Sequence, residues 1–155
     1  PNPLAAEAVR IAHEKAEKVV LATNPLFPMQ GQATRLSWLG LSPEDFDLVT
    51  CYATDRFCKP TPAYFADVCQ RIGVDPAACL MIGNDRDTDI AGAKAAGLAT
   101  LYMHTNLTPQ DQAPADPLLL PENAPKGCTH YEFEGSDWGE LTRQILCLGK
   151  EKSGI

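Results

Sequence analysis

Short apolar runs alternate along this chain with stretches whose apolar residues recur every three or four positions. Leu4, Ala8, Ile11 and Ala12 share one face at helical spacing, so a helix is expected over 3–15, with Pro3 suited to its first turn. The run KVVLAT at 18–23 is apolar and β-branched, which reads as a buried strand, and NPLFP breaks it. Residues 29–39 read as a helix closed by Gly40. A second strand is expected at 46–52 (FDLVTCY). A helix over 61–72 follows two prolines, turns Tyr64, Phe65, Val68 and Ile72 inward and stops at Gly73. CLMIG at 79–83 reads as a third strand, 89–96 as a small-residue helix with Gly97 behind it, and LATLYMH at 98–104 as a fourth strand.

Strand and helix therefore alternate, which argues for an α/β fold with a parallel sheet and helices on both faces. The pattern stops over 105–128, where five prolines and few charges predict a long surface loop. THYEFEG at 129–135 alternates like an edge strand, Ser136 is placed to cap a last helix running to about residue 147, and 151–155 is expected to be a frayed tail. No internal repeat is present. The expectation is one domain over 1–150.

Composition narrows the function classes. The 155 residues are 45% hydrophobic and 21% charged, ordinary for a globular domain. A formal net charge of -7 argues against a general nucleic-acid binder, which needs a basic face to displace counterions. A small anionic substrate remains compatible with that charge, because a bound metal can invert the local sign. No apolar run reaches the ~20 residues that span a bilayer, and no secretory signal pattern opens the sequence. The six cysteines form no C-x-x-C pair, which disfavours a zinc ribbon and fits reduced thiols in a cytoplasmic protein.

In a parallel α/β sheet, ligands gather beyond the carboxyl ends of the strands. Thr23 and Asn24 follow the first strand there, Arg56 and Lys59 the second, and Asn84, Asp85, Asp87 and Asp89 the third. A hydroxyl can donate to a phosphate oxygen, an ammonium can neutralise it, and carboxylates supply hard oxygen ligands for Mg²⁺. D-R-D-T-D also mimics a calcium loop, but Ile90 stands where that loop needs Gly and Ala96 where it needs Glu. Asp87 reads as a helix-terminal charge favoured by the backbone dipole. The four-residue spacing of Asp85 and Asp89 lets both carboxylates converge, and like charges so close repel unless a cation sits between them. His13, His104 and His130 have no motif around them and read as structural, and Trp38 and Trp138 as core or interface aromatics.

Three ordered segments make the pattern specific. VVLAT ends in Thr23, CKPTPAYF carries Lys59, and LMIGNDRDTDIAGAKAAG carries the acidic cluster. They resemble the second, third and fourth motifs of the haloacid dehalogenase (HAD) superfamily of phosphohydrolases, over residues 3 to about 106. That resemblance implies a Rossmann-like three-layer sandwich with a mostly parallel sheet. It also implies a small phosphorylated substrate and Mg²⁺ as cofactor, with no nucleic-acid or membrane partner. Carried over by position, Thr23 would bond a transferring phosphoryl oxygen and the Asn24 backbone would add a donor. Lys59 would pair with the phosphate and the nucleophile, and Asp85 with Asp89 would hold Mg²⁺. Many members have Asp directly after the glycine; here Asn84 stands there, so Asn84 or Asp85 faces the metal. Asp85 is favoured as the better ligand.

The family's first motif is absent from this sequence: no apolar strand ending in D-x-D precedes Thr23. The covalent Asp nucleophile, one metal ligand and the central strand that carries them are therefore expected from elsewhere, either an N-terminal segment or a second copy of the chain. A cap domain is also missing. The expectation is a Mg²⁺-dependent phosphomonoester hydrolase represented by its C-terminal core portion and inactive alone. The rival is a non-catalytic family member acting as a binding or regulatory module. A flavodoxin-like nucleotide binder ranks last, because no Gly-rich phosphate loop follows the first strand.

Overall fold

The computed structural model describes residues 4–103 and 130–133. The described residues divide into two units, 4–55 and 56–103 with 130–133. The expected loop over 105–128, Trp138, the last helix to 147 and the tail lie outside the described residues, as does His104.

In the first unit, helix α1 (Leu4–Lys15) buries Ala5, Ala8 and Ile11 along one stripe. Strand β1 (Val20–Leu21) pairs in parallel with β2 (Leu48–Val49), Val20 opposite Leu48 and Leu21 opposite Val49. Both strands are far shorter than the apolar runs at 18–23 and 46–52 predict, because side chains take over the ladder at each end. The Asp47 carboxylate accepts from the Val19 N–H at 2.8 Å at the start. At the finish the Thr50 hydroxyl accepts from the Thr23 N–H at 2.9 Å and donates to the Thr23 carbonyl at 2.7 Å. Helix α2 (Met29–Ser37) buries Leu36 and also Gln32. Its Ser37 and Leu36 carbonyls accept from the Gly40 and Leu41 amides, and the φ of 72° at Gly40 is a conformation that glycine adopts without a Cβ penalty. Trp38 is 64% exposed, so it is not a core residue of this chain.

In the second unit, helix α3 (Pro62–Ile72) has proline in its first turn and Gly73 at φ 72° after its last. Its buried stripe is Tyr64, Phe65, Val68 and Cys69, with Ile72 only half-buried. The Tyr64 and Phe65 rings meet edge-on at 5.1 Å. Strands β3 (Leu80–Gly83), β4 (Ala99–Met103) and β5 (His130–Phe133) form one parallel sheet in that order, with β5 at its edge. Parallel neighbours need a crossover, and β3 reaches β4 through a helical segment that starts earlier than the 89–96 pattern predicts. A wide turn over Arg86–Ala91 runs directly into α4 (Gly92–Ala95). The Asp85 carbonyl accepts from both the Asp89 and Ile90 amides, at 3.0 and 3.2 Å, so the first turn is one residue wider than α-helical. The core of this unit is mostly apolar, with Leu101, Ala93 and Phe65 among its most buried residues, but it also buries Thr100, Lys94 and Asp89. Among the described residues no helix is long and apolar enough to cross a membrane.

Candidate functional site

Gly83 ends β3, and the chain then turns so that Asp89 comes back beneath the strand end. A Cβ on Gly83 would lie 2.4 Å from the Asp89 Cβ and 2.5 Å from its Oδ2, so only glycine leaves room for that carboxylate. Asp89 is 7% exposed. Its Oδ2 accepts from the backbone N–H groups of Asn84 and Asp85, at 3.2 and 3.3 Å, and its Oδ1 accepts from the Lys59 ammonium. The Lys59 and Asp89 side chains are 8% and 10% exposed, a buried ion pair rather than a surface one. A carboxylate offers about four lone-pair sites, and Asp89 commits three of them within the fold.

Lys59 reaches this position from the loop ahead of α3, where the Lys59–Pro60 peptide is cis. The next turn of chain is held close to α4. A Cβ on Gly92 would come within 2.2 Å of the Pro60 carbonyl oxygen and 2.6 Å of the Phe65 ring. The small residues of GAKAAG thus have a packing reason: they let the segment carrying Lys59 lie against the helix that follows Asp89.

Asp85 has a different task. It is the N-cap of the wide turn, its Oδ1 accepting from the Asp87 and Thr88 amides at 3.0 and 2.7 Å. Asp87 pairs with the neighbouring Arg86 and is 45% exposed, as its reading as a helix-terminal charge predicts. Asn84 is exposed. Asp85 and Asp89 thus have separate partners within the fold. Lys59 supplies the positive charge beside Asp89, while Asp85 turns to the helix terminus.

Thr23 and Asn24 belong to the first unit. The Thr23 hydroxyl donates to the Asn24 carbonyl at 3.2 Å and accepts from the Gln32 amide at 2.7 Å. Gln32, 1% exposed, also donates to the Thr50 carbonyl at 3.2 Å. The pattern reading missed Gln32. Its signal was a polar residue four positions before Leu36 on the apolar face of α2, a place where a buried amide needs partners. Among the described residues no group of three or more His, Cys, Asp or Glu side chains is disposed to hold a metal. Among the described residues, oxygens available to a hard cation at this strand end include Asp85 Oδ2, the remaining Asp89 lone pair and the Asn84 side-chain amide, beside Lys59. Mg²⁺ commonly takes one or two protein ligands and completes its shell with water and substrate phosphate, so this donor set fits part of such a site.

A parallel sheet with a buried lysine–aspartate pair at the carboxyl end of one strand defines an α/β protein with a strand-end polar site. Residues 1–97 match the model of the haloacid dehalogenase-like hydrolases, and the chain belongs to that family. It is similar to human N-acylneuraminate-9-phosphatase, 40% identical over 62 residues, covering 39% of this chain and 25% of that protein. The chain spans about a quarter of the length of that relative. A protein from Listeria monocytogenes serotype 4b has the same fold, with TM-score 0.70 at 18% identity over 96% of this chain and 81% of that one. A candidate HAD-hydrolase from Bacillus subtilis, solved bound to magnesium, is 25% identical with TM-score 0.65, covering 92% of this chain and 54% of that one.

Proposed function

We propose that these residues form the phosphate- and metal-handling part of a Mg²⁺-dependent phosphomonoester hydrolase. The observation that carries the reading is the buried Lys59–Asp89 pair, held beneath the backbone of Asn84 and Asp85 by a glycine that nothing larger could replace. Asp89 fixes Lys59 with its ammonium at the strand end, where it can neutralise phosphoryl oxygens as charge shifts among them. Asp85 Oδ2 and the Asn84 amide would hold the cation, which when bound supplies positive charge to the phosphoryl group. The family resemblance gives the Thr23 hydroxyl and the Asn24 backbone the role of donors to phosphoryl oxygens. Gln32 donates to the Thr23 oxygen while the Thr23 proton points to the Asn24 carbonyl, so donation to a phosphoryl oxygen would turn that proton away from Asn24. The aspartyl nucleophile is not among these 155 residues upstream of Thr23, so this chain by itself is expected to show no turnover. An N-terminal segment or a second copy would supply it, and a cytoplasmic setting suits the reduced thiols.

The test uses a polypeptide extended upstream to include a D-x-D strand, assayed with a generic phosphomonoester and Mg²⁺. Asparagine is as good an N-cap as aspartate, so Asp85→Asn removes the charge and keeps the helix start. Turnover and Mg²⁺ affinity should each fall about tenfold or more, the scale of a disturbed metal ligand set, with the unfolding midpoint unchanged. Full Mg²⁺-dependent turnover in that variant would sink the metal assignment. A second reading is a non-catalytic binding or regulatory module. Turnover by the extended protein that is lost in Lys59→Ala would reject it.

A further inference from the structure

The sulfurs of Cys69 and Cys79 lie 3.7 Å apart in the second unit, away from the polar site. Cys69 is in the last turn of α3 and is 2% exposed; Cys79 immediately precedes β3 and is partly exposed. Cys79 is four residues before Gly83, about 13 Å along an extended chain from the Asp89 cradle. Both backbones are tied. The Cys69 carbonyl accepts from the Gly73 and Val74 amides in the helix terminus. Cys79 donates its N–H to Pro76 and accepts from the Ala99 amide of β4 at 3.0 Å. Two thiols are thus presented to each other by fixed elements, one reachable from solvent and one behind it.

We propose that Cys79 is a site of thiol–disulfide modification and that Cys69 is its resolving partner, the pair forming a reversible disulfide between α3 and β3. The Cys69 thiol donates to the Cys79 sulfur, which pulls the Cys79 pKa below the usual thiol value and pushes that of Cys69 up. Of the two sulfurs Cys79 is the more exposed and the more readily ionised, the arrangement a reactive cysteine needs, and its own thiol proton otherwise goes to the Asp75 carbonyl at 3.4 Å. The oxidant is a low-molecular-weight disulfide such as glutathione disulfide. The Cys79 thiolate attacks one of its sulfurs and releases one thiolate, giving a mixed disulfide on Cys79. Cys69 attacks the Cys79 sulfur and passes its proton to the glutathione sulfur that it displaces, which leaves as the second thiol. Two protein thiols are oxidised and one small disulfide is reduced to two thiols. Closing from 3.7 Å to the ~2.05 Å of a disulfide asks for about 1.7 Å of sulfur movement. Side-chain rotation can supply much of that.

The test incubates the folded chain with glutathione disulfide, alkylates the remaining thiols and maps tryptic peptides. Cys58 is exposed and shares the 57–71 peptide with Cys69, so the background carries Cys58→Ser. The expected result is loss of alkylation at both Cys69 and Cys79, recovery of peptides 57–71 and 72–86 as one linked species, and its separation by dithiothreitol. In the further variant Cys69→Ser, glutathione should accumulate on Cys79 instead. The proposal is overturned if wild-type Cys79 retains glutathione while Cys69 stays alkylatable. It is also overturned if Cys79 links to another cysteine, or if the pair stays reduced when folded yet cross-links in urea.

Discussion

Replacing Gly92 by alanine sets two physical effects against each other. Gly92 sits at φ -63°, ψ -41°, ordinary helical backbone, so alanine should add about 1 kcal/mol of stability on helix propensity alone. Against this stands the new methyl group, which would lie 2.2 Å from the Pro60 carbonyl oxygen and 2.6 Å from the Phe65 ring. One obstacle is backbone and the other is a ring packed edge-on against Tyr64, so neither moves aside cheaply. Overpacking of this kind costs about 1–3 kcal/mol, and a rigid obstacle belongs at the upper end. The net is a loss of about 2 kcal/mol. With a urea m-value of about 2 kcal/mol/M, the midpoint should fall by about 1 M. Far-UV circular dichroism in urea measures it. Gly73→Ala is the comparison: its φ is 72° and nothing lies within 4 Å of the new Cβ, so it reports backbone strain without a clash. A Gly92→Ala midpoint equal to or above that of the parent would refute the close approach of the Lys59–Pro60 loop to α4.

Two further outcomes follow from the same geometry. Lys59→Met should cost about 3–5 kcal/mol in urea unfolding, because it strands a buried carboxylate. Adding Asp89→Asn should restore part of the loss, since an amide oxygen still accepts from the Asn84 and Asp85 amides; a double variant weaker than Lys59→Met would contradict the pairing. The Asp47 carboxyl is held below its ordinary value of 3.8 by the Val19 N–H and then by Lys18. A lowered folded value stabilises above the unfolded value and loses that contribution as pH falls through the folded one. Asp47→Asn should therefore flatten the acid limb of the stability–pH curve below about pH 4 and leave its slope near neutrality unchanged. An unaltered acid limb would rule out the strand-end role of Asp47.

The order of elements was legible in the sequence because period is a local property. Tyr64, Phe65 and Val68 at helical spacing gave α3, and the Gly40 and Gly73 stops fell where the backbone turns left-handed. The lengths of β1 and β2 were not legible. Apolar runs mark where a strand can be buried, whereas a ladder ends where side chains such as Asp47 and Thr50 capture the backbone groups. Lys59 and Asp89 could be named from their positions at strand ends. Their pairing could not, since it joins residues 30 apart in sequence. Gln32 was hidden for a related reason: a polar residue in an apolar stripe reads as noise until its partners, Thr23 and Thr50, are in place.

The crowding of Asp85, Asp87 and Asp89 also takes its physical meaning from these partners. Three carboxylates on alternate residues would repel one another if they shared one environment. Each has a separate source of positive potential instead. Asp89 is beneath the strand end with an ammonium and two amide protons, Asp85 faces two amides at the helix start, and Asp87 lies at the surface beside Arg86. A wide first turn makes this partition possible. With one more residue per turn, the Ile90 amide joins the Asp89 amide at the Asp85 carbonyl while the Asp89 side chain still points back to Gly83. Lys59 and two amides offset the cost of burying Asp89 inside the fold, so a cation at the proposed site would be able to come and go without the turn unfolding. Stability of the folded chain should accordingly be insensitive to chelators, as measured by the urea midpoint with and without EDTA. A midpoint that drops on chelation would mean that the metal, rather than Lys59, balances the Asp89 charge.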